Sequence, residues 1–394
     1  MCRFSPFNSI QKSLQAVFFE SSGWERPQWY ESNSDLALPQ MPDRSEWQAR
    51  EWSPIIGAEH KATRENLALF DMTPFTKLEV SGKGALSYLQ LLTTNQIDRP
   101  IGKTIYTPML NERGGIRCDL TITRIANDRF LVLTGGSTGP LDLHWMEQNL
   151  PDNGAVAIKD ISSTQCCVGI WGPKTRDMLQ DLTSDDLSNQ AFPYMTAKHF
   201  MINQIPVFGI RISYVGELGW EIYASTEYGS KLWNTLWKAG KNLGIVAAGS
   251  GAFESLRLEK GYRLWGTDIH TEYNPLESGL GFSVKMGKGN FIGKPSLENM
   301  SEHGPKRSLS CLVLDNPNHL VMGKEPIIYK DERVGYVTSA NFGYTTGKSI
   351  AYGYLPTNLN NPGQTLKIEY FDQLYSATVS QEPLYDPKMN KLTN

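Results

Sequence analysis

The segment MLNERGGIRCDLTITR, residues 109–124, places a turn and a carboxylate within otherwise apolar, strand-like sequence. Its double glycine, Gly114-Gly115, predicts a turn between two strands and permits a close approach of the backbone to a ligand. Asp119 follows at the start of the second apolar run, where a carboxylate is costly unless it has a partner. Two interpretations stay open: Asp119 caps a backbone group beside the turn, or it carries a chemical function.

A second stretch, RISYVGELGWEIY at residues 211–223, shows a similar combination of strand-like runs and glycine. It predicts two strands joined by a bend over 216–219. If the second strand faces inward, Glu221 lies among apolar neighbours, where its carboxylate could accept paired N–H donors from a flat heterocycle. The alternative is a hairpin that leaves this glutamate in solvent.

A third stretch, SLRLEKGYRLWG at residues 255–266, begins as a helix and ends in glycine-containing sequence. Arg257, Glu259 and Lys260 are consistent with ordinary ion pairs on a helix surface. Glu277, a little further along, fits a surface position less well because it lies within a run of leucine and glycine.

Regular elements surround these three segments. We predict a helix over 59–70, a strand over 75–80, a helix after Gly84, a β-hairpin from 120–125 and 130–134, and a helix over 228–243 that ends at Gly244. Short strands after Pro305 predict a small β-barrel at the end of the chain. The first fifty residues are expected to be irregular, with the tryptophan-rich stretch 23–30 packed on a domain surface or acting as a lid or partner contact.

The composition describes a globular chain of two or three domains. Its 394 residues carry 38 basic and 41 acidic side chains, a formal net charge of −3, and 40% apolar residues. This balance gives no support to a nucleic-acid-binding protein, which normally shows a large basic excess or patch. No apolar run approaches the ~20 residues that span a bilayer, which argues against a membrane protein.

The cysteine and histidine patterns argue against several kinds of site. Five cysteines, an odd number without a CxxC pair, argue against a disulfide scaffold and a cysteine-based zinc site, and favour a reducing, cytoplasmic location. Six histidines lack HExxH or HxH spacing, so no metal is expected. Phosphate-loop, dinucleotide-binding and GxSxG motifs are also missing, which argues against a nucleotide enzyme or a serine hydrolase.

Taken together and in order, these segments resemble the aminomethyltransferase family, which includes the T-protein of the glycine cleavage system. The resemblance is greater to the folate-binding C-terminal half of dimethylglycine and sarcosine dehydrogenases. It is carried by GWERPQWY (23–30), FDMTPF (70–75), MLNERGGIRCDLTITR (109–124), GIWGPKTRDML (169–179), RISYVGELGWEIY (211–223), LRLEKGYRLWG (256–266) and NPLESGLGFSVK (274–285).

The resemblance implies an α+β fold in which three domains form a cloverleaf around a central tetrahydrofolate pocket. The first two domains are expected to be discontinuous and to share the folate site. The implied boundaries are 1–55 with 160–245 for the first domain, 56–159 with 246–304 for the second, and 305–394 for the C-terminal β-barrel.

The resemblance also implies roles for individual residues. Asp119 is expected to be catalytic, at the N5/N10 edge of the folate, where a carboxylate can accept a proton or stabilise a developing cation. The expected folate-binding residues are Tyr214, Glu221 and Phe282, which line or border the pterin pocket, together with Met109, Asn111 and Arg257.

Three features depart from the family pattern. Where the T-proteins have two aspartates, this chain has Cys118-Asp119, and where they have a folate-holding arginine, it has Phe253. The missing cation argues against glycine-cleavage activity and fits the dehydrogenase branch better. The chain also lacks room for the flavin domain of those dehydrogenases, which leaves a stand-alone protein, a subunit working with a separate flavoprotein, or an excised domain.

The expected function is tetrahydrofolate-dependent transfer of a one-carbon unit from an N-methyl amine or its iminium, giving methylene- or methyl-tetrahydrofolate. One alternative keeps tetrahydrofolate as acceptor but demethylates a sulfonium or methoxy compound. Another is a non-catalytic, folate-binding assembly factor. Such factors carry a cysteine-containing KGCYTGQE-like motif, whereas the corresponding bend here is SYVGE, residues 213–217.

Overall fold

The structure, a computed structural model, describes residues 2–37 and 40–393. The α-helices in these ranges are α1 (Asn8–Ser13), α2 (Ile55–Glu65), α3 (Ala85–Leu92), α4 (Gly139–Gln148), α5 (Thr175–Gln180), α6 (Gly229–Gly240), α7 (Ser250–Glu259), α8 (Lys294–His303) and α9 (Asn390–Thr393). The strands are β1 (Ala16–Ser21), β2 (Trp24–Tyr30), β3 (Leu67–Asp71), β4 (Thr76–Ser81), β5 (Thr104–Leu110), β6 (Ile116–Ala126), β7 (Arg129–Thr134), β8 (Ala157–Asp160), β9 (Gln165–Trp171), β10 (Ala197–Ile202), β11 (Ile205–Ile210), β12 (Gly219–Ser225), β13 (Ile245–Ala247), β14 (Arg307–Leu314), β15 (Pro326–Tyr329), β16 (Glu332–Gly343), β17 (Lys348–Pro356), β18 (Thr365–Tyr370) and β19 (Gln373–Ser380).

A six-stranded sheet forms one layer of the fold, in the order β10-β11-β12-β9-β3-β13. Its strands run antiparallel except for the parallel pair β13 and β3. One face packs against α6, where Leu232, Trp233 and Leu236 are buried. A short 3-10 turn follows α6, and Gly244 then takes a left-handed conformation (φ 81°). The apolar stripe and its glycine stop were therefore predicted correctly.

A five-stranded sheet, β5-β6-β7-β4-β8, forms a second layer. Alternate residues of β6, namely Cys118, Leu120 and Ile122, are buried in a cluster that also contains apolar side chains of α3. Because side chains alternate along a strand, Asp119 lies on the opposite face. The predicted hairpin is confirmed here as β6 and β7.

The inner faces of the two sheets meet in a shared apolar cluster. Leu131 and Leu133 of β7 belong to this cluster together with Phe70 of β3 and Tyr223 of β12. Strand β6 pairs with β7 so that its residue 121 lies opposite Leu133. The face of β6 that carries Asp119 is therefore directed toward the first sheet.

The last part of the chain closes into a six-stranded barrel in the order β14-β17-β16-β15-β18-β19. Its interior holds a cluster of aliphatic side chains that includes Ile327, Ile368 and Val379. The predicted α+β fold with a C-terminal β-barrel is confirmed. Strand β17 had no predicted counterpart, because seven consecutive buried residues remove the alternation that marks a half-exposed strand.

Two expectations about single elements were wrong. The helix expected over 59–70 ends at Glu65, and Leu67–Asp71 forms β3, whose five residues are all buried. A short apolar run of this kind cannot be distinguished from a helix by periodicity alone. The expected irregular start of the chain in fact holds α1 and the hairpin of β1 and β2.

The tryptophan-rich stretch forms strand β2 of that hairpin. Its residues Trp24, Pro27 and Tyr30 are buried, and contacts join β2 to both α2 and α7. The stretch is thus packed on the body of the protein, as the first of the two interpretations expected.

The boundaries expected for the first two domains stay a prediction. Strand β3 lies in the range assigned to the second domain, yet it hydrogen-bonds to β9 of the sheet assigned to the first. In the ranges that the structure describes, no helix is long and apolar enough to cross a membrane.

Candidate functional site

Asp119 extends from β6 on the inner face of the second sheet. The phenol of Tyr106, on the neighbouring strand β5, donates a hydrogen bond to its Oδ2 at 3.0 Å. Burial raises the pKa of Asp119 to about 6, and the hydrogen bond from Tyr106 opposes that rise. The carboxyl group is therefore fixed at one oxygen and changes charge near neutral pH, which suits a proton acceptor.

Phe282 provides an exposed aromatic surface next to this pair. Its ring lies 6.1 Å from that of Tyr106, with the two planes only 20° apart. The side chain of Phe282 is 64% exposed. An exposed ring stacked on the partner of a catalytic candidate is a suitable surface for a flat ligand.

Tyr214 lies in the bend between β11 and β12, within a second group of rings. Its ring stacks on Phe253 at 5.1 Å and on Tyr262 at 5.7 Å, and its hydroxyl donates to the carbonyl of Arg263 at 2.6 Å. Burial raises the pKa of Tyr214; the charge of Arg257 opposes that rise, and the charges of Glu254 and Asp119 add to it. Tyr214 and Asp119, predicted from distant segments, thus lie within range of an electrostatic interaction.

Glu221 extends from β12, opposite Ile210 of β11, which belongs to the cluster between the sheets. Tyr223 donates to its Oε2 at 2.6 Å, while its Oε1 has no hydrogen-bond partner among the described residues. Burial raises the pKa of Glu221, and the Tyr223 hydrogen bond and the charge of Lys77 oppose this rise. Glu221 is thus half-buried within a sheet, with one carboxylate oxygen free to accept a hydrogen bond.

Lys77 is a buried cation that the sequence analysis missed. Its Nζ donates to the carbonyl groups of Thr73 and Phe75 at 2.9 and 2.8 Å. Burial lowers the pKa of Lys77, and the carboxylates of Asp71 and Glu221 oppose that effect. The sequence indicates a solvent-exposed lysine here, because a lysine that alternates with apolar residues in a strand normally faces solvent. In the structure both faces of this sheet are covered, so the side chain is buried.

Arg257 is held entirely by protein groups. Its five N–H donors bond Glu254 twice, Asp268 at 2.7 Å, Ser339 at 2.7 Å and the carbonyl of Tyr262 at 2.8 Å. A guanidinium has five donors in all, so none is left for a ligand in this conformation. Its folate-binding role stays a prediction, and in this structure Arg257 joins α7 to the barrel.

Met109 and Asn111 also have structural partners. Met109 is 1% exposed within the cluster that packs on α3. Asn111 Oδ1 accepts the backbone N–H groups of Arg113 and Gly115 at 3.0 and 2.9 Å, which fixes the turn. Their roles as folate ligands stay predictions.

The double glycine is needed for packing within the protein. A Cβ atom on Gly115 would lie 2.0 Å from the carbonyl oxygen of Thr271, and Gly114 has a φ of +81° near Leu297. The close approach predicted from these glycines is thus made to other parts of the chain.

The surface position expected for Glu259 and Lys260 was wrong. Both side chains are buried, Glu259 beside Arg64 at 3.2 Å and Lys260 beside Asp386 at 3.0 Å. Their partners come from α2 and from the end of the chain, so helical spacing gave no sign of them. In the described part of the chain, no group of three or more His, Cys, Asp or Glu side chains could hold a metal ion.

Comparison with known proteins places this geometry in a family. A model for the GCVT N-terminal domain matches residues 7–288, and a model for the glycine cleavage T-protein C-terminal barrel domain matches residues 307–386. A solved aminomethyltransferase T of the glycine cleavage system from Bartonella henselae has a TM-score of 0.84 at 23% identity, covering 98% of this chain and 99% of that one. This likeness concerns the fold alone.

Two curated relatives differ in length. Mitochondrial dimethylglycine dehydrogenase of Mus musculus is 37% identical over 385 residues, which cover 97% of this chain but only 44% of the relative. An aminomethyltransferase of Halothermothrix orenii is 32% identical over 383 residues, covering 96% of this chain and 99% of the relative. The chain belongs to the glycine cleavage T-protein family.

Proposed function

We propose that this chain transfers a one-carbon unit to tetrahydrofolate from an N-methyl amine or from its oxidised iminium. The observation that supports this most is Asp119, a half-buried carboxyl group with a pKa of about 6 that is bonded by Tyr106. Membership of the family supports a folate acceptor. The name of one relative, dimethylglycine dehydrogenase, supports a methylated amine as donor.

The residues proposed for the pterin pocket fit a pterin in shape and in hydrogen bonding. The exposed ring of Phe282 and the stacked ring of Tyr214 offer flat apolar surfaces, and the open Oε1 of Glu221 can accept an N–H group. Bound tetrahydrofolate would supply the nitrogen that takes up the one-carbon unit. Three further residues proposed as ligands already have partners within the protein: Met109, Asn111 and Arg257.

Asp119 acts in its ionised form in this proposal. Tyr106 holds Oδ2, which leaves Oδ1 to accept a proton or to stabilise positive charge at the reacting nitrogen. The surrounding rings of Tyr106 and Tyr214 lower the local polarity, so a charge on Asp119 acts more strongly there than in water.

The same folate site could serve more than one kind of one-carbon donor. A sulfonium or methoxy donor would need the same acceptor pocket, whereas a non-catalytic folate-binding factor would bind tetrahydrofolate without turnover. We rank the amine donor first because the dehydrogenase relative is named for a methylated amine.

A separate flavoprotein that oxidises the donor is a proposed partner. This proposal rests on the word dehydrogenase in the name of a relative of which the chain spans 44%. A cytoplasmic location also stays a prediction. It rests on the cysteines, of which all five are unpaired, while the mouse dehydrogenase is named as mitochondrial.

A turnover screen with tetrahydrofolate tests the function. Dimethylglycine, sarcosine, a sulfonium compound and formaldehyde would each be supplied with and without a flavoprotein partner. Mass spectrometry of the folate product distinguishes methyl- from methylene-tetrahydrofolate. Formaldehyde condenses with tetrahydrofolate without a catalyst, so it serves as the reference for methylene-tetrahydrofolate. We expect product from an N-methyl amine above that of a reaction without protein; tight folate binding without such product from any amine or sulfonium donor would contradict a transferase.

A further inference from the structure

Residues 382–393, which we call the C-terminal segment, leave the barrel after β19 and pack beside the first sheet. The segment includes α9, where Leu392 is buried and its carbonyl accepts a hydrogen bond from Arg211 at 3.0 Å. Arg211 directly follows β11 and begins the bend that carries Tyr214. The C-terminal segment therefore contacts the part of the chain that presents a proposed folate-binding ring.

The bend that carries Tyr214 has little regular structure to support it. Residues 211–218, between β11 and β12, form neither helix nor strand. Within the bend, Ser213 Oγ accepts the backbone N–H groups of Gly216 and Glu217 at 3.1 and 3.3 Å. A loop without a ladder of backbone hydrogen bonds is held by its side-chain contacts. The position of the Tyr214 ring thus depends on other parts of the chain.

Tyr385 of the C-terminal segment holds one end of this bend. Its hydroxyl donates to Glu217 Oε1 at 2.5 Å, and the same oxygen accepts a hydrogen bond from Arg64 at 3.1 Å. The ring of Tyr385 also stacks on the Arg64 guanidinium, 3.8 Å from the ring centre. Glu217 is buried, so these two donors fix it in place three residues beyond Tyr214.

Glu382 of the C-terminal segment holds the acceptor of the Tyr214 hydroxyl. That hydroxyl donates to the carbonyl of Arg263 at 2.6 Å, in an irregular stretch after α7. The Arg263 guanidinium donates to both carboxylate oxygens of Glu382, at 2.7 and 3.0 Å. Nearby, Lys260 pairs with Asp386 at 3.0 Å. Bidentate pairs of this kind are strong and directional, so Glu382 restricts where the Arg263 carbonyl can lie.

We propose that the C-terminal segment, through Glu382 and Tyr385, positions the ring of Tyr214 for tetrahydrofolate. This inference rests on the proposed function, because Tyr214 is one of the residues proposed for the pterin pocket. Glu382 and Tyr385 are positioning residues, which act through Arg263 and Glu217. Stacking on a flat ligand requires a ring whose plane is fixed, so a displaced Tyr214 loses contact with the pterin.

Fluorine NMR of the full chain labelled with 3-fluorotyrosine reports the position of Tyr214 without any ligand. The Tyr214 signal is the one that Tyr214→Phe lacks. We expect Glu382→Gln to shift this signal and Glu369→Gln to leave it unchanged. Glu369 is the matched control, because it pairs with Arg333 at 3.3 Å and is 29% exposed, against 32% for Glu382. An unchanged Tyr214 signal in Glu382→Gln would overturn the inference.

Calorimetry measures whether this position matters for folate. We expect Glu382→Gln and Tyr385→Phe each to weaken tetrahydrofolate binding about two- to tenfold, the range for one aromatic stacking contact, and Glu369→Gln to have no effect. A loss of stability alone would lower the number of binding sites but not the affinity of the folded molecules. Either variant suffices if the other fails to fold, and an affinity equal to that of the unmodified protein would overturn the inference.

A double-mutant cycle tests the route through Tyr214. Tyr214→Phe keeps the ring but removes the hydroxyl that donates to Arg263. If Glu382 acts through this hydrogen bond, Glu382→Gln should cause no further loss of folate affinity in Tyr214→Phe. The same loss in both backgrounds would overturn the inference.

Turnover separates this inference from the proposed function. Product formation with a folate affinity that does not depend on Glu382 would overturn the positioning role alone. A folate affinity that depends on Glu382, without product from any donor, would instead contradict the transferase and leave the positioning role supported.

Discussion

At the scale of residues, the protonation of Asp119 decides when the proposed reaction can proceed. Its pKa of about 6 lies above the ordinary 3.8, because burial disfavours the charged form. If the ionised form is active, kcat/KM should rise with pH and level off above about 6. Steady-state rates across pH 5 to 8 with a methylated amine donor would show this rise.

Asp119→Asn removes the group that titrates. We expect turnover to fall by at least about tenfold, as for loss of acid–base catalysis, and the rise near pH 6 to disappear while tetrahydrofolate still binds. Asp128→Asn, at an exposed turn, is a matched control that should keep both rate and profile. Full turnover in Asp119→Asn would remove this residue from the mechanism.

Glu221 gives a prediction about binding rather than rate. Because its Oε1 has no partner, a folate N–H donor is expected to complete it. Glu221→Ala should weaken tetrahydrofolate binding by at least about 1 kcal/mol, as for a lost charged hydrogen bond. Calorimetry beside Glu227→Ala, an exposed glutamate just beyond the same strand, gives the comparison. Equal affinity in the two variants would place Glu221 outside the pocket.

Single residues also show how much of the candidate site could be predicted from the sequence. Asp119 and Glu221 could be selected because a carboxylate within an apolar strand needs a partner. Tyr106 and Lys77 could not, because their roles depend on a neighbouring strand and on a second sheet that covers theirs. The neighbours of a residue in the sequence show that it is unusual, whereas its contact partners are known only from the folded structure.

At the scale of elements, the start of α7 depends on its close packing against β2. A Cβ atom on Gly249 would lie 2.2 Å from the carbonyl oxygen of Gln28. Gly249→Ala should therefore lower the free energy of unfolding by about 1–3 kcal/mol, the usual range for overpacking. Denaturant unfolding measures this change. Gly287→Ala, where no atom lies within 4 Å of the new Cβ, should leave stability nearly unchanged, and a similar loss in both variants would contradict the explanation.

Burial patterns explain which elements could be predicted from the sequence. Strand β6 and helix α6 alternate buried with less buried residues, so their periodicity is visible in the sequence. Strand β7, of which five consecutive residues are buried, was predicted instead from an apolar run that follows the turn at Asn127-Asp128. Strands β3 and β17 are buried on both faces and have no such signal, and β3 was taken for the end of a helix. An element can therefore be predicted where its burial alternates or where a recognisable turn lies beside it.

At the scale of the whole molecule, the barrel is attached to the two sheets through buried polar contacts. Glu259 of α7 accepts the N–H groups of Thr345 and Thr346, between β16 and β17, at 2.9 Å each. Beyond β19 the chain returns from the barrel, where Glu382 pairs with Arg263 at 2.7 Å and the Leu392 carbonyl accepts a hydrogen bond from Arg211 at 3.0 Å. The barrel thus closes over elements that also carry the proposed site.

Glu259 therefore tests how strongly the barrel contributes to stability. Burial alone would raise its pKa, but His60 and Arg64 beside it hold that pKa at about 2, below the ordinary 4.5. A carboxyl group with a lowered pKa stabilises the folded state above its unfolded pKa, and this contribution is lost as pH falls from about 4.5 toward 2. Glu259→Gln removes one of the two carboxylates that pair with the buried Arg64, the other being Glu217 at 3.1 Å, so the free energy of unfolding at pH 7 should fall by about 1–3 kcal/mol. Urea unfolding at several pH values should show the difference from the unmodified protein shrinking as the solution is acidified.

Glu332→Gln, at an exposed barrel position, should show neither effect, and a pH-independent loss in Glu259→Gln would mean that its charge does not hold the barrel in place.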